Sequence, residues 1–395
     1  MMANDQSVIV AGVRTPIGAF LGGLSAVPAP QLGAACVRAL VERTGAPPER
    51  IDEVLMGSCI AAGQGMNPAR QAAILGGLPT SVHAATINEA CASGMRAVML
   101  ADQILRAGDA RLIIAGGMES MSRAPYLLPK AREGFRLGNG EIVDSMMFDG
   151  LTDAYANKPM GHFADACARE CGLDRARQDA YAVLSHTRAR KALAEKAFAN
   201  EIVPVSVTVR GKTTIVGEDE GPGKFNEAKL LGLRPAFGDD GTVTAGNASS
   251  LNDGAAALMV STMKACGTLG LKPVARIVGA AIHSQEPERF TTAPVGALKK
   301  LLEKIGWKVD DVDLFEVNEA FAVVALAVAD QTGLPADRTN VFGGAIALGH
   351  PIGSSGARLL VTLIHGLERT GGHRGVAALC VGGGEGIAMA VERIV

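Results

Sequence analysis

The chain has 395 residues, 48% hydrophobic, 20% charged and 4% aromatic, with a formal net charge of −2. That length exceeds one hydrophobic core and points to two or three domains of an ordinary globular protein. A near-neutral charge without any dense Lys/Arg run argues against nucleic acid or an anionic membrane as partner, and the scarce aromatics offer bases little to stack on.

The opening MMANDQSVIVAG has no basic region and too short an apolar run for a signal peptide, and no apolar stretch of roughly 18 residues suggests a transmembrane helix. The run Val8–Ala11 reads as a first buried strand. Further runs of this kind are Leu112–Ala115, Leu314–Val317 and Val376–Val381, many ending in glycine. They alternate with Ala/Leu-rich helical stretches, the pattern of α/β layers on buried sheets. Seven scattered cysteines (Cys36, Cys59, Cys91, Cys167, Cys171, Cys266 and Cys380) read as reduced thiols in a cytoplasmic setting. Cys167 and Cys171, four apart on a predicted helix with no further ligands nearby, read as packing residues, and no metal cluster is seen.

An internal echo stands out. C-A-S-G-M-R-A-V from Cys91 leads through a helix to LIIAGGMES, and G-S-S-G-A-R-L-L from Gly353 leads through a helix to ALCVGGGEG. In both, a Ser-Gly pair opens a helix and an apolar strand ends in Gly-Gly-x-Glu, at Glu119 and Glu385. Duplication of one α/β unit explains this. Between the copies, roughly residues 120–250, the composition shifts to Pro, Lys, Arg, Asp and Met, with one clear helix from Arg175 to Ala199. Such an insertion reads as a lid or substrate-holding subdomain.

Several residues carry potential chemistry. Cys91 sits among small residues at a strand-to-helix turn, where the helix dipole would favour the thiolate. Of seven histidines only His350 lies in a rigid frame, GGAIALGHPIGSSG. Gly349 and Pro351 fix the turn, Gly353 and Gly356 leave room around the imidazole, and such a histidine suits a general base. Cys380 ends a strand before Gly382-Gly383-Gly384, whose backbone N–H groups could stabilise an oxyanion. Asn318 opens NEAF after a strand, either as a helix cap or as the holder of a water or enolate oxygen.

The frames ACASGMRA, NEAFA, GGAIALGHPIG and CVGGGEG resemble the motif set of the thiolase family, as do TVTAGNASSLNDGAAA and GGMESMSRAPY, in the family's order along nearly the whole chain. The resemblance implies an α/β fold of two duplicated halves stacked as helix–sheet–helix–sheet–helix. One half spans 1–119 plus 251–272, a CoA-holding loop domain spans 120–250, and the second half spans 273–395. It implies that Cys91 takes the acyl group, His350 activates it, and Cys380 moves the proton at the acetyl carbon. Asn318 and His350 would form one oxyanion hole through a water, and the backbone N–H groups of Cys91 and Gly382 the other. CoA contacts are carried over to Ser249, Ala245, Ala320, Phe321, Met160 and Lys224, the last standing in for a usual arginine. CoA enters as a substrate, no metal or nicotinamide is implied, and a homodimer or homotetramer is expected.

Two positions depart from the family. Phe342 replaces the usual Asn before Gly343-Gly344, and Pro159 replaces the His of acetoacetyl-CoA-type members. Pro159 is closer to degradative, longer-chain thiolases, whereas TVTAGNASSLNDG resembles the short-chain biosynthetic group. The reading is acetyl-CoA C-acetyltransferase; the alternatives are a degradative 3-ketoacyl-CoA thiolase and a non-catalytic acyl-CoA-binding protein.

Overall fold

The computed structural model describes residues 6–395; the reading of the extreme N-terminus falls partly on residues 1–5, outside the described part. Two half-sheets carry the fold. The first holds β1 (Ser7–Arg14), β2 (Glu53–Gly57), β3 (His83–Ile87), β4 (Leu112–Ser120) and β5 (Asn252–Thr262), in the order β3-β2-β4-β5-β1. The second holds β6 (Ala275–Ser284), β7 (Leu314–Val317), β8 (Arg374–Val381) and β9 (Glu385–Arg393), in the order β7-β8-β9-β6. A parallel bridge from Phe315 to Thr339 extends the second sheet where β3 extends the first. The two sheets join at one edge through Val8↔Arg276 and Ile9↔Ala275. Both are mixed: β2 pairs parallel with β3 and β4, β7 parallel with β8, and the remaining pairs are antiparallel.

The helices follow the same repeat. In the first half α1 (Ala29–Thr44), α2 (Pro68–Leu75) and α3 (Ser93–Ala107) alternate with the strands. The insertion carries α4 (Met160–Glu170) and α5 (Arg175–Ala194), and the second half α6 (Ala293–Ile305), α7 (Ala322–Thr332) and α8 (Ile352–Thr370). Three cores follow from three apolar interfaces. α3 and α8 lie between the sheets, with Val98, Leu359, Ile113 and Leu379 in the central core. α1 and α2 cover the outer face of the first sheet, through Leu32, Leu40, Ala72 and Ile114. α6 and α7 cover the second, through Leu298, Val324, Phe315 and Val376. The result is helix–sheet–helix–sheet–helix, and the expected duplication is visible in the equivalence of strand order. Strands buried on both faces read as continuous apolar runs, which is why the sequence exposes them so clearly.

Two readings need correction. The helix expected to reach Ala199 stops at Ala194, because Lys196 takes a φ of 54° and the chain turns to bury Phe198. The first Gly-Gly-x-Glu does not end its strand: β4 runs through Gly116 and Gly117 to Ser120, in register with β5 throughout. Only the second copy is a strand end. Residues 121–251 separate β4 from β5, whereas the turn Gly382–Gly384 joins the equivalent β8 and β9.

Candidate active site

Glycines bring the N-termini of the two central helices together. A Cβ on Gly117 would stand 2.0 Å from Gly353 O, one on Gly57 2.6 Å from Gly94 N, and one on Gly356 2.6 Å from Met95 N. Backbone thus packs on backbone at the start of α3 and α8, a contact that only residues without a side chain allow. Gly353 and Gly356 serve this crossing, not the space around the imidazole. Cys91 and His350 each lie two residues ahead of their helix, so the crossing delivers both to one place.

That place is a cavity of about 260 Å³. Cys91, His350, Cys380 and Gly382 all line it; its remaining walls are mainly apolar and include Met147, Leu151, Phe237, Phe290 and Ile352. Asn318 is fully buried behind His350, its Nδ2 3.5 Å from His350 Nε2. Among the described residues no charged side chain lines the cavity.

The His350 turn is built residue by residue. Gly349 has a φ of 115° and leaves its missing side chain's place to Asn252, which a Cβ would meet at 2.3 Å. Asn252 Oδ1 then accepts the His350 N–H at 3.0 Å, and its Nδ2 donates to Gly18 O at 2.9 Å. His350 Nδ1 lies 2.5 Å from Ser355 Oγ, whose hydroxyl donates to Pro351 O at 3.0 Å. With that proton committed, Nδ1–H donates to Ser355 and the Nε2 lone pair faces Asn318. Burial, helped by the Arg358 charge, lowers the imidazole to about 4, so it is neutral at physiological pH.

The thiols are also neutral at rest. Burial pushes Cys91 up to about 11, although the backbone N–H groups of Gly382 and of Cys91 itself reach the sulfur and favour the thiolate. Desolvation thus outweighs the helix terminus that favours the thiolate, and the thiol needs a base, the part the sequence gives to His350. Burial, then the neighbouring Cys91, raises Cys380 well above its ordinary value. A neutral thiol and a buried neutral imidazole lining one cavity with two backbone donors can transfer a proton as the sulfur attacks a carbonyl.

Several supporting residues escaped the sequence reading. Glu119 accepts Cys59 N–H at 2.9 Å, Gly353 N–H at 3.0 Å and Ile60 N–H at 3.3 Å, pinning the α8 N-terminus to the loop after β2. Burial raises its carboxyl to about 7 against those three donors. Glu319 accepts from Ser185 Oγ at 2.6 Å, Tyr181 Oη at 3.0 Å, Asn340 Nδ2 at 3.0 Å and Ile346 N at 3.1 Å. Asn340 also pairs with the Val317 backbone, N–H to Oδ1 and Nδ2 to O at 2.8 Å each, fixing the strand end that bears Asn318. The Glu of NEAF and the Asn preceding Val341-Phe342 were the available signals, both overshadowed by their neighbours.

Of the expected CoA contacts, Met160, Ser249, Ala320 and Phe321 line the cavity; Ala245 and Lys224 are exposed and do not. Pro159 lines it too, preceding α4. Phe342 faces away from the imidazole into an apolar cluster with Ile17, Phe198 and Leu348, and Gly366 leaves room for its ring. The Asn340–Glu319 network holds the turn without it. Cys167 and Cys171 lie 3.9 Å apart, sulfur to sulfur, and all seven cysteines are free. Among the described residues no helix is long and apolar enough to cross a membrane.

Residues 7–264 match the family model for the thiolase N-terminal domain, and residues 271–393 the one for the thiolase C-terminal domain. An acetyl-CoA acetyltransferase of Chromobacterium violaceum is 51% identical over 390 residues, 98% of this chain and 100% of the relative. Another, from Schizosaccharomyces pombe, is 48% identical over 395 residues, 100% of both. The crystal structure of the Bacillus anthracis acetyl-CoA acetyltransferase matches with a TM-score of 0.97 at 42% identity, covering 100% of each chain.

Proposed function

The chain belongs to the thiolase family, and we propose that it is an acetyl-CoA acetyltransferase, interconverting two acetyl-CoA with acetoacetyl-CoA and CoA through an acyl-enzyme on Cys91. The observation that carries this reading is an apolar cavity that collects both thiols, the imidazole and the Gly382 turn.

In the cleavage direction, His350 Nε2 takes the Cys91 proton as the sulfur attacks the 3-keto carbon. The carbon–carbon bond breaks, the acyl group stays on Cys91, and the acetyl-CoA enolate takes the Cys380 proton. CoA then attacks the thioester, its thiol proton passing to the Cys380 thiolate, and Cys91 leaves as His350 returns its proton. Condensation is the reverse. The backbone N–H groups of Cys91 and Gly382, already directed at the sulfur, would hold the acyl oxygen. Once protonated, His350 Nε2 would donate to the other oxyanion beside a water on Asn318, whose Oδ1 is buried without a partner among the described residues. This chemistry uses acyl-CoA substrates and asks for no metal or nicotinamide.

We take residues 120–250 as the CoA-holding unit on two cores, 1–119 with 251–272 and 273–395. Met160, Ser249, Ala320 and Phe321 would line the path of the CoA arm, with Ala245 and Lys224 further out. Free thiols suit the cytoplasm. Exposed Leu137, Ile142 and Tyr126 suit a homodimer or homotetramer, which light scattering would test.

The decisive assay is CoA-dependent cleavage of acetoacetyl-CoA beside a longer 3-ketoacyl-CoA. We expect activity to fall by at least roughly three orders of magnitude in Cys91→Ala. Full activity in that variant would overturn the mechanism, and preference for the longer substrate would move the assignment to a degradative thiolase.

A further inference from the structure

Glu316 and Arg358 form an ion pair in the central layer, 2–3% exposed, with Arg358 Nη1 3.1 Å from Glu316 Oε2. On β7, Phe315 and Val317 pack into the outer core and Leu314 into the central one. Strand alternation therefore sends Glu316 and Asn318 toward the same face. On α8, Ser355 and Arg358 are three residues apart and share a side. The pair thus links the strand that leads into Asn318 to the helix that grips His350, one step from both His350 contacts: Asn318 Nδ2 at 3.5 Å and Ser355 Oγ at 2.5 Å. Arg358 Nη2 is buried with no hydrogen-bond partner among the described residues, so its charge is incompletely answered.

We propose that Glu316 and Arg358 are positioning residues for the reaction: their buried contact sets the spacing between Asn318 and the imidazole, and the guanidinium charge acts on His350 from α8. This rests on the thiolase reading of the site. Cys91 and Cys380 face His350 across the cavity, Arg358 acts on it from α8, and Glu316 lies against Arg358, with Glu319 and Glu201 acting on Glu316. Glu119 lies beyond Cys91 on β4. Burial holds the Glu316 carboxyl up at about 8, against the pull of Arg358. In the acid range where His350 titrates, Glu316 is therefore neutral and the Arg358 charge acts uncancelled.

The test is acetoacetyl-CoA cleavage by the full-length enzyme across its pH range. In Arg358→Met the acidic limb of kcat/KM should move up by about one pH unit, with kcat down about tenfold and KM within about twofold. Arg358→Lys keeps the charge but loosens the link, so the limb should stay while kcat falls about tenfold. Glu316→Gln should leave the limb in place. A folded Arg358→Met enzyme with an unmoved limb would overturn the proposal. If that variant does not fold, wild-type kcat in Arg358→Lys would overturn it instead. An inactive wild type would sink the thiolase reading, a separate failure.

Discussion

β4 and β8 hold equivalent places in the two half-sheets and carry the same Gly-Gly-x-Glu, yet they use it differently. In β4 the glycines stay in the strand, and Glu119 turns inward to hold three backbone N–H groups. In β8 the strand stops at Val381; Gly383 and Gly384 take φ values of 97° and 91°, and Glu385 begins β9. The connections differ likewise: residues 121–251 on one side, a tight glycine turn on the other. Both connections reach the same cavity, the insertion with Leu151, Met160 and Ser249, the turn with Gly382. One pattern thus serves as a structural pin in the first half and as a source of backbone donors in the second.

Substitutions at each copy would sharpen that contrast. The largest effect belongs to the turn. In Gly384→Ala the new Cβ would meet Gln285 O at 2.4 Å in a strained conformation, shifting the Gly382 N–H. We expect kcat to fall about 10²–10³-fold with a well-folded protein, read by steady-state kinetics. A variant within about threefold of wild type would remove the turn from the oxyanion site.

The pH dependence comes next. His350 works neutral and its folded value is depressed to about 4, so kcat/KM should hold on the neutral side and drop about tenfold per unit below that value. The same depression sets a stability term that is present above the ordinary histidine range and lost as pH falls through it toward about 4, which melting curves would follow. An acidic limb near the ordinary histidine value would mean that the imidazole is solvated during turnover.

At the pin, Glu119→Gln keeps the shape but turns an N–H donor toward backbone N–H groups. Unfolding free energy should fall by about 1–3 kcal/mol, with a smaller loss of kcat than at the turn. Denaturant melts would check this; a larger kinetic than stability effect would erase the distinction between pin and donor. The smallest change is expected for exposed Lys224→Ala, a rise of a few-fold in KM for CoA that salt diminishes.

The difference between the two copies also explains what the sequence could and could not reveal. Cys91, His350, Cys380 and Gly382 were legible because each stands in a contiguous frame of small residues at the end of an apolar run. The duplication was legible because buried strands and glycine crossings repeat locally. Glu119, Asn252 and Asn340 were not, since most of their decisive bonds reach groups far away in the chain, as Asn252 does to Gly18; Ser355 was not, since its bonds to Pro351 and the imidazole exist only once the His350 turn has formed. How strongly the Cys91 proton is held was not legible for a related reason. A helix terminus is a local feature, whereas the desolvation that outweighs it comes from walls contributed by the insertion and both halves.

The glycine crossing has one more consequence. A Cβ on Gly94 would meet Ala357 N at 2.9 Å, and one on Gly356 would meet Met95 N at 2.6 Å. In the repeat Gly94 corresponds to Gly356 and Met95 to Ala357, so each contact has its mirror. Such reciprocity is the mark of a self-complementary surface meeting its own copy about a dyad. The chain therefore encloses, within one polypeptide, the kind of interface that identical subunits form between them. Covalent linkage frees the two sides from identity: one turn can keep a nucleophile while its counterpart keeps a base, a division of labour that two identical subunits could not make.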